Sequence, residues 1–311
     1  MSGEGRFITT NAVMLSVNIS LQQMPERGSS VRALSATSMP GGGFTTLAVA
    51  AAQGVNTNLA APLGTGPNSY TVRRQLKAAG IHVLTDVLVG DIGVAIVMVQ
   101  ADGHTTTIIT PGVESEPTFQ EMENIELFPG DLVHVSGADL SSPAAGVLAE
   151  WGGALPDDVT LVLSVSPAVE EVPYPIWVAL LERADIVTMN IREAAALTRI
   201  LEESAPGVSI RDFVSPDTAM VRRLGVMGCE VQQNAYTEKI RLEPYAAHRM
   251  DNAGVGDTHV ATMCASLLQG LDLVAACERA NAAAALMVAR KTSLPAPTPA
   301  EIDQVMERGR V

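Results

Sequence analysis

From residue 131 onward, short apolar runs of strand length alternate with segments of helical length, and this alternation limits the fold more than any other feature. The strand-like runs are 132–135, 160–164 and 186–189, and the helical stretches between and after them are 143–150, 176–182 and 192–202. A sheet covered by helices is the expected architecture, in the α/β class. Before this region, residues 12–19 read as the first core strand, 45–53 as a helix entered through three glycines, and 58–63 as a strand. The helix expected at 71–79 closes on Gly80 at its C′ position. The texture then changes: 94–100 and 104–110 flank Asp102-Gly103, a hairpin turn signal, and with residues near 29–38 they form a small separate sheet. Residues 204–220, with Pro206, Gly207 and Pro216, read as irregular, 228–250 as antiparallel strands, and 273–289 as an Ala-rich helix. One α/β domain over 1–311 is expected, with a β-lid formed by about 20–40 and 86–112.

Composition excludes several functions. Apolar residues make up 47% and charged residues 17%, which suits a globular chain with a large core and no long disordered tail. A net charge of −14 without a Lys/Arg cluster argues against nucleic acid, since pairs such as Arg222-Arg223 and Arg290-Lys291 stand isolated. An anionic substrate must then be held by backbone amides, a local cation or a metal. Cys229, Cys264 and Cys277 have no CxxC spacing and lie in apolar settings, as buried thiols of a cytoplasmic protein do. The run 12–19 is too short to span a membrane and lacks the flanks of a cleavable signal.

The chemistry concentrates in Asp251-Asn252-Ala253-Gly254-Val255-Gly256-Asp257, which an apolar helical run follows at once. Backbone N–H groups of a small-residue loop at a helix start attract an anion, and Asp257 sets a carboxylate beside it. An anion cradle with an adjacent base is what phosphoryl transfer to a hydroxyl requires. The helix dipole should keep Asp257 ionised. Taken alone, such a loop is more often a tight turn than an anion site.

The heptapeptide resembles the C-terminal signature of the ribokinase-like, or PfkB-type, family of sugar and nucleoside kinases. Other matches follow in family order. Met24-Pro25-Glu26-Arg27-Gly28 is similar to the turn into the lid, and Gly41-Gly42 followed by Ala48-Val49-Ala50-Ala51 to the N-terminal signature. Asn190-Ile191-Arg192-Glu193 resembles the Asn-x-x-Glu motif, and Leu224-Gly225-Val226-Met227-Gly228 the nucleotide-side Leu-Gly-x-x-Gly. Asn281-Ala282-Ala283-Ala284-Ala285 and Pro297-Thr298 resemble the closing helices.

The resemblance implies a three-layer α/β/α fold with a mostly parallel central sheet and a small β-sheet lid that often forms a homodimer interface. It implies ATP near residues 224–228 and 251–285, with Asn190, Glu193, Arg223, Gly225, Gly228 and Asn281 on the nucleotide side. Asp257 is the implied base, and the amides of Gly254, Val255 and Gly256 the implied anion hole. Asn190 and Glu193 help place Mg²⁺, Glu193 through water. The same pair also reads as a helix N-cap completed into a capping box, and both roles can hold together. The acceptor is implied at Ser16, Gly41, Gly42, Gly43, Thr46, Asp251 and Asp257.

Departures from the family pattern gather on the acceptor side. Ser16 stands where an Asp usually binds sugar hydroxyls, with Met14 two residues before it. Gly43 replaces a ribokinase lysine, Thr46 an asparagine, and Gly64-Thr65-Gly66-Pro67-Asn68-Ser69 the usual Gly-x-Asp-x-x-Gly. Each lost anchor should cost a pentose about 1–3 kcal/mol, so a less hydroxylated or bulkier alcohol is expected near Phe44, Ser16, Thr46 and Asn68. Glu114, where the lid chain returns, reads as a surface carboxylate or a substrate contact, and His259 as structural. Arg223 replaces a threonine, and either touches a phosphate or covers the surface. Thr292 replaces a glycine in a loop that binds a monovalent cation in some members, which argues against potassium activation.

The implied activity is ATP-dependent phosphorylation of a sugar-like or nucleoside-like alcohol. A catalytically silent relative that binds ligands or regulates is the alternative left by the altered acceptor side. A dinucleotide-dependent oxidoreductase is disfavoured, because no Gly-x-Gly-x-x-Gly opens a helix after the first strand.

Overall fold

The computed structural model describes residues 5–309 apart from 103, 205 and 291–295, so the Gly103 turn position, Lys291 and Thr292 lie outside the described residues. In chain order the strands are β1 (Phe7–Thr9), β2 (Val13–Leu21), β3 (Ser35–Gly42), β4 (Thr57–Leu59), β5 (Leu63–Gly64), β6 (His82–Val83), β7 (Val87–Leu88), β8 (Val94–Gln100), β9 (Thr105–Thr110), β10 (Leu132–Ser136), β11 (Thr160–Ser164), β12 (Ile186–Asn190), β13 (Ala219–Arg223), β14 (Cys229–Gln232) and β15 (Ile240–Leu242). The helices are α1 (Phe44–Ala52), α2 (Pro67–Ala78), α3 (Phe119–Glu123), α4 (Ala145–Gly153), α5 (Tyr174–Arg183), α6 (Ile191–Ser204), α7 (Val255–Leu268), α8 (Leu273–Val288) and α9 (Pro299–Arg308). Among the described residues, no helix is long and apolar enough to cross a membrane.

The large sheet runs β15-β14-β13-β12-β11-β10-β1-β4-β6. All pairs from β13 to β6 are parallel, and β14 and β15 add antiparallel partners at one edge. Successive residues of a strand face opposite sides, so a parallel strand covered on both sides must be apolar throughout. Phe7, Leu132, Val162 and Ile186 pack with Val49 of α1, Met263 of α7 and Ala280 of α8. Their neighbours Ile8, Val133, Leu161 and Val187 pack with Leu148 of α4, Trp177 of α5 and Leu197 of α6. The result is three layers, helix on sheet on helix.

The run 12–19 is not the first core strand. It lies within β2, which pairs antiparallel with β3 and parallel with β8 in a separate four-stranded sheet of order β3-β2-β8-β9. The core position belongs to β1, three fully buried residues that join β10 on one side and β4 on the other. Both runs are apolar, and only pairing separates them: β2 keeps its middle residues half-buried, as one covered face dictates.

Two arrangements bring the chain to the site. Connections from β1 and from β10 leave in opposite directions across the sheet, which opens a crevice at their carboxyl ends. Arg6 pins the start of this pair. Its backbone N–H and its guanidinium both donate to Asp131, which is 1% exposed, and the guanidinium also lies over the Phe128 ring. Burial alone would raise the Asp131 carboxyl, but the Arg6 and Phe128 donors hold it below the usual carboxylate range. Arg6→Ala strands that carboxylate, so it should lower unfolding free energy by about 3–5 kcal/mol at pH 7 in a denaturant titration. The loss should shrink as pH falls far enough to protonate Asp131 in both states.

Candidate active site

The loop before α7 is shaped by close approach. Gly254 has φ of +69°, and a Cβ there would meet Thr45 Cγ2 at 2.9 Å and Met287 Cε at 3.1 Å. Asp251 Oδ1 accepts from Ala253 N at 2.9 Å and fixes the turn, and Thr258 N donates to Gly254 O at 2.8 Å to begin the helix. The Val255 amide turns back to Asn252 O at 3.4 Å. Those of Gly256 and Asp257 have no hydrogen-bond partner among the described residues. The Gly254 amide likewise has none among them, so Gly254 and Gly256 of the expected set stay open and Asp257 joins them, as the first turn of any helix leaves its N–H groups unpaired. Asp257, half-buried in that turn, carries no side-chain hydrogen bond among the described residues. Burial raises its carboxyl above the ordinary range and Arg223 lowers it. The net direction is upward, with desolvation the larger of the two effects.

On one side of this loop lies a cavity of about 860 Å³, and Asn190, Arg223, Gly225, Gly228, Val255 and Asn281 all line it. Five residues expected on the nucleotide side therefore meet in one space. Gly228 has φ of +79°, and a Cβ there would overlap Leu242 O, so only glycine permits the turn after β13. Asn281 Nδ2 donates to the carbonyls of Leu242 and Glu243, at 3.4 and 3.3 Å, which ties α8 to this wall.

Glu193 sits just outside the lining. Its carboxylate accepts from Asn190 N (2.7 Å), Asn190 Nδ2 (2.6 Å) and Arg223 Nη2 (2.9 Å), while Asn190 Oδ1 accepts from Glu193 N at 2.9 Å. The capping-box reading is therefore what the geometry shows, with an ion pair added. Asn190 and Arg223 are register partners at the ends of adjacent parallel strands, which is why the pair forms. With Asn190 and Arg223 donors already on both of its oxygens, Glu193 is not arranged as a direct Mg²⁺ ligand; the contact expected of it runs through water.

A second cavity of about 410 Å³ lies on the small-sheet side, lined by Ser16, Gly41 and Gly42 together with Met39, Phe44 and Thr45. Gly43 is held against Asn11, whose carbonyl an added Cβ would overlap, so no larger residue fits at that position. Thr46 is 0% exposed with its hydroxyl unpaired in the interior, and Thr45, one residue earlier on α1, faces the cavity instead. Glu114 is buried, not on the surface: it accepts from Gly93 N at 2.8 Å and Gly112 N at 3.0 Å, closing the return from the small sheet. Asp91 Oδ1 accepts from both Ser69 N and Ser69 Oγ at 2.7 Å, capping α2 where the sequence segment 64–69 carries no carboxylate. His259 is buried beside Cys229 within the packing of α7.

One site residue had no motif to announce it. Asp139 follows β10 at the crevice and accepts from Ala12 N at 3.0 Å and Thr10 Oγ1 at 3.4 Å. Burial pushes its carboxyl up to about 7, those two donors oppose the rise, and Asp257 adds to it. Beneath it, His134 bridges Thr9 Oγ1 (2.9 Å) and Ser164 Oγ (2.8 Å) across three strands. Burial and the nearby Arg223 push that imidazole down to about 3, so it is neutral at pH 7. A carboxylate three residues past a core strand was the available signal for Asp139. Its folded value lies above its unfolded one, so the folded state keeps a proton that the unfolded chain releases between about pH 4 and 7. Asp139 therefore costs stability as pH rises through that window. Asp139→Asn should remove the cost, gaining about 2–4 kcal/mol at pH 8 relative to its effect at pH 4, measured by denaturant unfolding at both values.

Comparison with known proteins matches residues 9–300 to the model of the pfkB family carbohydrate kinases. A sugar kinase of Escherichia coli, YegV, is 27% identical over 301 residues, covering 95% of this chain and 92% of its own. The ATP-dependent ribose-1-phosphate kinase of Halopiger xanaduensis is 26% identical, covering 94% of this chain and 95% of its own. The solved nucleoside kinase of Methanocaldococcus jannaschii, an archaeal member of the ribokinase family, superposes with a TM-score of 0.79 at 18% identity, covering 98% of this chain and 99% of its own. The three-layer architecture is that of the ribokinase fold, and by the family match along nearly its whole length this chain belongs to the pfkB family of carbohydrate kinases.

Proposed function

We propose that the enzyme transfers the γ-phosphoryl group of ATP to a hydroxyl of a sugar-like or nucleoside-like small molecule. The observation that carries this reading is the position of α7. Val255 of its first turn lines the larger cavity, while Gly254 touches Thr45 and Met287 of the smaller one. A base and open amides therefore stand at the wall between a nucleotide space and an acceptor space.

In this reading Asp257 accepts the proton as the acceptor oxygen attacks, and the loop amides meet the charge that develops on the transferred group. A desolvated carboxylate with a raised pKa is a better base than one in water, and it is free of competing donors. ATP arrives as its Mg²⁺ complex, with the ion carried on the phosphates and Glu193 left to its cap and its arginine. Ser16, Gly41, Gly42, Thr45 and Asp251 border the acceptor, with Met39 and Phe44 adding apolar wall. That lining favours an alcohol bearing an apolar or aromatic part over a fully hydroxylated pentose.

The small sheet closes over the acceptor as a lid of one kinase domain and supplies a homodimer interface. Its edge strand β9 is exposed along its whole length, with Ile108 at 52% and Ile109 at 60%. A reducing cytoplasm suits the three free, buried cysteines.

Asp257→Asn should lower turnover by about two orders of magnitude or more while nucleotide affinity changes less than about threefold, with turnover followed as ADP release and affinity by calorimetry. Unchanged turnover would remove Asp257 from the chemistry. A charge placed on the lid edge, Ile109→Glu, should convert a dimer to a monomer in light scattering behind size exclusion. A wild type that is monomeric at every concentration would dispose of the dimer.

A further inference from the structure

Arg223 is placed as few surface cations are. It ends β13 opposite Asn190, and its guanidinium lies along the glycine loop: a Cβ built on Gly256 would come within 2.6 Å of Nη1. A side chain at 256 would push the guanidinium aside. Nη2 is committed to Glu193 at 2.9 Å, whereas Nε is buried without a hydrogen-bond partner among the described residues. A buried donor left unpaired is costly and marks a group arranged for something other than the resting fold. The other arginines lining the larger cavity, Arg192 and Arg249, are exposed, so Arg223 is the shielded cation of that lining among the described residues. In a chain of net charge −14, it is this side chain that gives the site its local positive field.

We propose that Arg223 is a catalytic residue that binds the terminal phosphoryl group of the nucleotide, held in place for that purpose by Glu193. The proposal rests on the kinase reading above. In the transfer, the acceptor O–H bond breaks and its proton passes to Asp257, while the acceptor oxygen forms a bond to the γ-phosphorus. The bond from that phosphorus to the bridging oxygen breaks, and ADP leaves with the electron pair. Arg223 meets the charge on the equatorial oxygens with its unused N–H groups. The planar fork suits this task better than a lysine, and Glu193 sets its angle through the oxygen that also caps α6. The cationic field also reaches Asp257, whose carboxyl Arg223 lowers against the effect of burial.

The acceptor is not needed for the test. Binding of ADP and of a non-hydrolysable ATP analogue with an imido bridge is measured by calorimetry at fixed magnesium and pH, for wild type, Arg223→Thr and Arg223→Lys. The wild type should prefer the triphosphate analogue. Arg223→Thr should lose about 10–100-fold of that preference while its ADP affinity moves less than about threefold. Arg223→Lys should keep part of the preference, and its melting temperature serves as a check should the threonine variant fold poorly. A preference unchanged in both variants overturns the proposal, as does an equal loss for ADP and analogue, which is the mark of a structural role. If the wild type binds neither nucleotide, the kinase reading itself fails, an outcome separate from either.

Discussion

The structure depends on a parallel sheet buried on both faces. Because every strand from β13 to β6 runs the same way, the carboxyl ends of all of them meet at one edge, and the chain must leave each strand there. The strand order changes direction at β1 and β10, so that edge has a crevice. Asp139 comes from one bank of it, Asn190 and Arg223 from strands further along, and α7 starts above them. None of these groups is near another in sequence. Their meeting follows from strand pairing and from the Arg6–Asp131 anchor that fixes the start of β1 against β10.

Much of this could be read from the sequence because it is written in local chemistry. The heptapeptide 251–257, the turn 224–228 and the cap at Asn190 and Glu193 each need particular residues at particular spacings for backbone reasons, and each lies where those reasons place it. What could not be read is set by partners distant in the chain. β2 passed for a core strand because apolar periodicity does not say which sheet a strand joins, while the three residues of β1 are too short to show a period. Thr45 and Thr46 differ by about 100° around α1, and helix phase decided which of them faces the cavity. Glu193 matched a metal-associated motif, yet the residue that determines its role is Arg223, on the next strand.

In the proposed reading, the fold keeps the family's reaction and alters the contacts made to the acceptor. The lid strand carries Ser16 where a carboxylate would hold sugar hydroxyls, and Gly43 packs so tightly on Asn11 that a longer side chain has no room. Carboxylates persist nearby, but they have been drawn into the scaffold: Asp91 caps α2, and Glu114 ties off the return from the small sheet. Met39 and Phe44 line the remaining cavity, alongside the amide side chains of Asn18 and Gln75. The loop before α7, by contrast, leaves Asp257 and the amides beside it without hydrogen-bond partners among the described residues. In the proposed reading, reaction and specificity are built by different elements, α7 with the ends of β12 and β13 for the first, and the small sheet with α1 for the second.

The central claim is that this site moves a phosphoryl group onto an alcohol, and transfer of label tests it most directly. ATP carrying a radioactive γ-phosphate would be incubated with the protein and a panel of sugars, nucleosides and polyols, and the products separated by chromatography. The account predicts that at least one acceptor becomes a labelled phosphate ester with an equal amount of ADP formed, the best acceptors carrying an apolar or aromatic portion. No labelled ester from any acceptor, with the nucleotide nonetheless bound, would contradict it and identify a silent member of the family.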